Sequence, residues 1–188
     1  MAPASFLAAL HTAVAGLRAT AETQFAPLSL DQLNQRLAPT SWSMLECLEH
    51  LNRYSRYYQP ALARVLARPH TAPAPPAEVA YSWLGRKSVL MMRPGNTRQQ
   101  TTLRRMNPLG SRLGREVLTE FDQHQAHLLE MLTQAQTADL NRKAVPVEFF
   151  RLLKLRLGEA LEFVVVHEER HVQQARRVQA GLGAESAK

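Results

Sequence analysis

Four stretches of the chain carry apolar side chains at the three- and four-residue spacing of a helix that buries one face. The first covers Pro3 to Phe25, with Phe6, Leu10, Val14, Leu17 and Ala21 on one side. A short helical turn is expected over Leu30 to Leu37, with Ser29 placed as its cap. The second long stretch runs from Ser43 to about Arg68, where Leu45, Leu48, Leu51, Ser55, Tyr58, Leu62 and Val65 trace the buried stripe. Its start is marked by Ser43 and Glu46, an S-x-x-E capping box in which each side chain satisfies an orphan amide of the first turn. The third runs from Ser111 to Ala135 around Val117, Phe121, Leu128 and Leu132. The fourth begins near Gly158 and runs to about Ala180, where Gly181 and Gly183 are read as its stop.

The links between these stretches carry weaker signals. Pro69 to Ala77 is rich in Pro and Ala and ends the second helix. From Glu78 to Gly110 the pattern is poorest: Tyr81 to Met92 fits either a short helix or an extended stretch, and Pro94-Gly95-Asn96 marks a turn. A connection this long between helices usually has a job, so it is expected to cross the helices and cover a cavity. A polar linker containing Pro146 follows the third helix, and Leu153, Leu155 and Leu157 alternate with Lys154 and Arg156 as a short extended approach to the fourth. The expectation is an all-α fold, an up-and-down four-helix bundle with a long crossover, forming one domain over residues 1–180 with a flexible tail at 181–188.

Composition agrees. At 188 residues, 45% hydrophobic and 21% charged, the chain can build one core without disulfide staples. Its one cysteine, Cys47, cannot form an internal disulfide and reads as a small buried hydrophobe. Ala4 to Ala21 is apolar, but it lacks a basic lead and is interrupted by His11, Thr12 and Arg18, unlike a secretory signal. With no apolar run long enough to span a membrane, the cytoplasm is the expected location. Charge changes the picture more. The formal net charge is +7, and Val79 to Arg115 holds no acidic residue but carries Arg86, Lys87, Arg93, Arg98, Arg104, Arg105, Arg112 and Arg115. Such a segment suits an anionic substrate, a nucleic-acid backbone or simply a solvated face. No aromatic residues interleave with the arginines between Arg93 and Arg115, which counts against a stacking platform for single strands.

The candidate chemistry lies in His167-Glu168-Glu169-Arg170-His171. Residues four apart share a helix face, so both imidazoles can meet one ion, and neutral imidazole suits zinc, nickel, copper or iron. His50, two turns into the second helix, is the candidate third ligand; three protein ligands and an open position form the usual catalytic zinc arrangement. Taken alone, the H-x-x-x-H pair reads equally as two surface histidines. The same residues satisfy H-E-x-x-H, the zinc metallopeptidase pattern, with Glu168 as general base. That reading lacks its downstream ligand: Gln174 and Arg177 stand where the extended pattern has Gly and His. Glu168 is therefore a candidate base or a solvated helix charge.

Two motifs then carry a resemblance. Trp42-Ser43-x-x-Glu46-x-x-x-His50-Leu51 resembles the W-S-x-x-E-x-x-x-H-L signature of the DinB-like superfamily of bacterial metalloproteins, and His167-x-x-Arg170-His171-x-x-Gln174 resembles its H-x-x-R-H-x-x-Q signature. The lead-in Leu155-x-Leu157-Gly158-Glu159-Ala160-Leu161 is similar too, so the resemblance spans nearly the whole chain. It implies a four-helix bundle with a long crossover and one divalent metal held by His50, His167 and His171 in an open cavity. It also implies thiol-dependent S-transferase or isomerase activity with low-molecular-weight thiols, or metal-dependent hydrolysis, on a small molecule, often in a homodimer; the basic segment from Arg86 to Arg115 would suit an anionic one. Zinc or nickel leads, ahead of iron or manganese. Trp42 is expected to anchor packing, Arg170 and Gln174 to orient ligands or tie helix ends, and His124 to be a satisfied core histidine. His11, His70 and His127 are expected at the surface. The competing reading is a non-catalytic module with a structural metal and a basic surface for nucleic acid or an acidic partner.

Overall fold

The computed structural model of the chain describes residues 1–67, 77–96, 98, 101–148 and 150–186. Helix α1, Pro3–Thr20, continues directly into a π turn at Ala21–Phe25, so one apolar face extends from Phe6 to Phe25 as its spacing predicts. Helix α2, Leu30–Asn34, is short and capped reciprocally by Ser29 and Gln32. Helix α3, Met44–Leu66, starts at the expected Ser43–Glu46 box. Helix α4, Trp83–Met92, settles the two options for that stretch as helix, with the Ser82 hydroxyl accepting from the Gly85 amide. A 3₁₀ turn at Arg104–Met106 leads to helix α5, Glu116–Gln134. Strands β1, Lys143–Val147, and β2, Phe150–Arg156, then form an antiparallel hairpin that feeds helix α6, Leu157–Ser186. Most of the Pro/Ala link and His70 lie outside the described residues.

Three boundaries differ from expectation. The all-α expectation gains a two-stranded sheet: β2 is the extended approach seen in the alternating leucines, but β1 is new. The register shifts on either side of the Val145–Pro146 pairings, and a proline cannot donate to a ladder, so this stretch reads as linker. Helix α5 begins after Arg115 rather than at Ser111, because residues just before it are tied elsewhere. The Leu113 amide donates to Asn34, the Leu113 carbonyl accepts from Asn34, and the Gly110 amide donates to Glu46. Gly110 has φ +88°, a conformation that suits glycine. Helix α6 runs through Gly181 and Gly183 to Ser186 instead of stopping at Ala180. Gly181 serves packing here: a Cβ would come within 2.7 Å of the Leu37 side chain.

Helix α3 packs against α5 and α6, and α1 packs against the same two helices, so the four long helices close a ring in the order α1, α5, α3, α6. Helix α4 rests on α6. The core has two parts. One gathers Tyr58, Leu62, Leu132, Leu161 and Val165; the other gathers Leu48, Leu51, Phe121, Val172 and Ala175. Each large apolar side chain fully buried in these clusters contributes about 1.5–3 kcal/mol. On α6 the first cluster ends at Val166 and the second resumes at Val172. The residues between them are polar, and they include both histidines of the motif. No helix among the described residues is long and apolar enough to cross a membrane.

Candidate metal centre

The site grows out of the capped start of α3. Glu46 is fully buried and its carboxylate takes both prongs of the Arg36 guanidinium, each at 2.7 Å, together with the amides of Ser43 at 2.8 Å and Gly110 at 2.7 Å. One side chain therefore caps the helix and pins the crossover to it. Burial pushes its pKa up, but the Arg36 pair and the amides outweigh that and hold it below the usual carboxylate range. One turn further on, His50 faces inward.

The crossover supplies the orienting group for His50. The Arg53 guanidinium donates to the carbonyls of Arg105 and Asn107, and the Trp42 indole donates to Asn107 Oδ1 at 3.1 Å. The carbonyl between them, Met106 O, lies 2.7 Å from His50 Nδ1. A carbonyl can only accept, so Nδ1 carries the proton and His50 Nε2 presents its lone pair. His171 is set the same way: its Nδ1 meets Gln174 Oε1 at 3.0 Å. His167 Nε2 is 3.2 Å from His50 Nε2.

The ligand atoms of His50, His167 and His171 all lie within 4.8 Å of one another. Nitrogens around a tetrahedral zinc at about 2.0–2.1 Å sit roughly 3.3 Å apart, so the His50–His167 spacing fits a shared ion. Charge state fits too. Burial pushes His50 down to about 4 and His171 down to about 3, and burial with the neighbouring His171 and His50 pushes His167 well below the ordinary value. All three are neutral at pH 7, the form that ligates. With one anchored crossover, two outward-tied rings and three neutral nitrogens converging, the residues fit a divalent metal.

Aromatic rings wall the site. Trp42 packs against His50 and His171 at centroid distances of 4.7 and 5.5 Å, Tyr54 against His50 and His167 at 4.9 and 4.4 Å, and Phe163 stacks on His167 at 5.8 Å. Burial raises the Tyr54 hydroxyl to about 12, so it keeps its proton.

The other candidates sort clearly. Trp42 anchors packing as expected and also touches two histidine rings. Gln174 orients His171, whereas Arg170 donates to the carbonyls of Asn96 and Arg98 and so ties the crossover to α6. His124 is half-buried and satisfied by Gln59 and Glu120, away from the centre. His11 and His127 are exposed. Cys47 is fully buried, and burial pushes its thiol up, so it is a packing group. Glu168 is 2% exposed rather than a solvated helix charge, and neither of its oxygens has a hydrogen-bond partner among the described residues. Burial raises it to about 8, opposed by the facing Gln125 amide. Met106, Tyr54 and Phe163 are the site residues that sequence reading missed. A carbonyl contact has no sequence signature, whereas Tyr54, four residues after His50, and Phe163, four residues before His167, were findable from helical spacing.

The sequence matches the DinB superfamily over residues 13–175. That match covers most of the chain and includes all three histidines, so the protein belongs to the DinB superfamily. Neither the search of curated proteins nor that of solved structures returned a match.

Proposed function

We propose that this protein is an up-and-down four-helix-bundle metalloenzyme that holds one divalent ion through His50, His167 and His171. Zinc or nickel suits the all-imidazole set best, ahead of iron or manganese. Its proposed reaction is thiol S-transfer, or hydrolysis, on a small molecule, and it is proposed to act as a cytoplasmic homodimer. The observation that carries the reading is the convergence of three neutral imidazole nitrogens, two of them turned inward by Met106 and Gln174.

When bound, the ion supplies Lewis acidity that lowers the pKa of a thiol or water presented to it. The chain's own groups do the rest. The histidines bind, Met106 O and Gln174 hold two of the rings in one tautomer, and Trp42, Tyr54 and Phe163 exclude bulk water and strengthen every charge interaction inside. Glu168 is not part of the histidine cluster and lies against Gln125, which favours these readings over a peptidase that needs Glu168 as base.

The test is turnover by metal-loaded protein with a panel of low-molecular-weight thiols and electrophiles. Thiol-dependent conjugation supports transfer, and thiol-independent turnover supports hydrolysis. Turnover equal in wild type and His50→Ala would overturn both. The second reading, a non-catalytic module with a basic surface, draws on Arg86, Arg98 and Arg104, which have no carboxylate partner among the described residues. It requires DNA binding whose log affinity falls linearly with log salt.

A further inference from the structure

The basic stretch is not one surface. Arg93 pairs with Glu162, Arg105 with Glu148 and Arg112 with Asp31, and Arg115 donates to the carbonyls of Ala26 and Leu28. These four cations are occupied. Arg86 and Arg98 form no ion pair among the described residues, and the Lys87 ammonium lies 4.9 Å over the Trp83 ring. Arg86, Lys87 and Arg98 line one cavity of about 850 Å³, within the usual size for a small-molecule site.

The rest of the cavity wall combines the apolar Trp83, Leu90 and Met91 with the polar Asn96 and Thr101. Trp83 is 75% exposed and Leu90 52% exposed, although most large apolar side chains of the chain are buried. An exposed indole and leucine beside unpaired cations make a surface with two chemistries: one side takes a flat apolar body and the other takes negative charge. The rim is held in place, because the Arg170 guanidinium donates to the carbonyls of Asn96 and Arg98, the latter at 2.9 Å. The helix that carries two of the three histidines therefore fixes one edge of this cavity.

We propose that the cavity binds a small organic anion, with its acidic group on Arg86, Lys87 and Arg98 and its apolar body against Trp83 and Leu90. Nucleic acid is the weaker occupant, since a backbone needs a row of free cations and four of the arginines and lysines of this stretch are already engaged. The inference stands apart from the metal reading: none of the three histidines lines the cavity.

The test uses 2-naphthoate and the full-length, isotope-labelled protein, read by NMR. The chain has two tryptophans, so there are two indole N–H signals, and Trp83→Phe identifies that of Trp83. Naphthoate is expected to shift the Trp83 signal saturably. The neutral 2-naphthamide, and naphthoate with the Arg86→Glu/Arg98→Glu variant, should each bind roughly tenfold more weakly or worse. His50→Ala should leave naphthoate affinity unchanged. No binding, equal affinity for the acid and the amide, or indifference to the charge reversal would each overturn the proposal. So would displacement of naphthoate by oligothymidylate that binds more tightly than the small acid.

Discussion

Replacing Glu46 with Ala removes the group that joins helix start, crossover and site. The carboxylate is fully buried and receives two bonds from Arg36 and one each from the amides of Ser43 and Gly110. Breaking the ion pair leaves the Arg36 guanidinium, 28% exposed, without its partner, which costs less than the about 3–5 kcal/mol of a fully buried pair. Loss of an N-cap interaction costs about 0.5–2 kcal/mol, and a stranded buried amide about 1–3 kcal/mol. These contributions overlap, so the expected total is about 3–5 kcal/mol, a melting decrease on the order of 10 °C for a chain of this size. Urea and thermal unfolding measure it. Asp31→Ala is the control: it also removes one carboxylate from an arginine, but Asp31 and Arg112 are largely exposed, and the expected loss is under about 1 kcal/mol. The two variants differing by less than about 1 kcal/mol would refute the claim that Glu46 organises this end of the fold.

The remaining predictions concern buried titrating groups and one close approach. Glu168 has a folded pKa of about 8, above its unfolded value, so it favours folding at low pH and loses that contribution as pH rises. Glu168→Gln should therefore stabilise the protein by on the order of 3 kcal/mol at pH 7 and by little at pH 4.5; denaturant unfolding at both values tests this, and an equal effect at both would contradict it. In the same Glu168→Gln background, the metal-free protein should lose stability as pH falls below about 6.5. The three histidines are depressed in the fold, and each unit of pH costs up to about 1.4 kcal/mol per histidine. A flat profile from pH 7 to 5 would mean that they are not buried neutral. Gly85→Ala should destabilise by about 2 kcal/mol, since a Cβ there would overlap the buried Glu159 carboxylate, which accepts from the amides of Ser82 and Arg156; unchanged urea unfolding would show that Glu159 has room to move.

Much of this was legible because the signals were local and periodic. The long apolar stripes located α1, α3, α5 and α6, and the Ser43–Glu46 box fixed the start of α3 from side-chain identity alone. The two motifs placed His50 with His167 and His171 before any geometry was known. What was not legible depends on partners distant in sequence. The glycines near the end of α6 look like a stop, but Leu182 between them is buried and Gly181 accommodates Leu37. Glu168 looks like a solvated charge in a run of polar residues, and only the position of α5 reveals that it faces Gln125. The basic stretch gave a net charge, while its division into paired arginines and three cations around one cavity required the positions of Glu162, Glu148 and Asp31.

The central claim is that His50, His167 and His171 share one divalent ion, and metal stoichiometry tests it most directly. Protein purified without added metal or a metal-binding tag, then analysed for elemental content, should carry one zinc or nickel equivalent per chain. His50→Ala, His167→Ala and His171→Ala should each carry far less while keeping the helical circular-dichroism spectrum. Full metal content in all three variants, or a wild-type protein that cannot be loaded to one equivalent, would contradict the account.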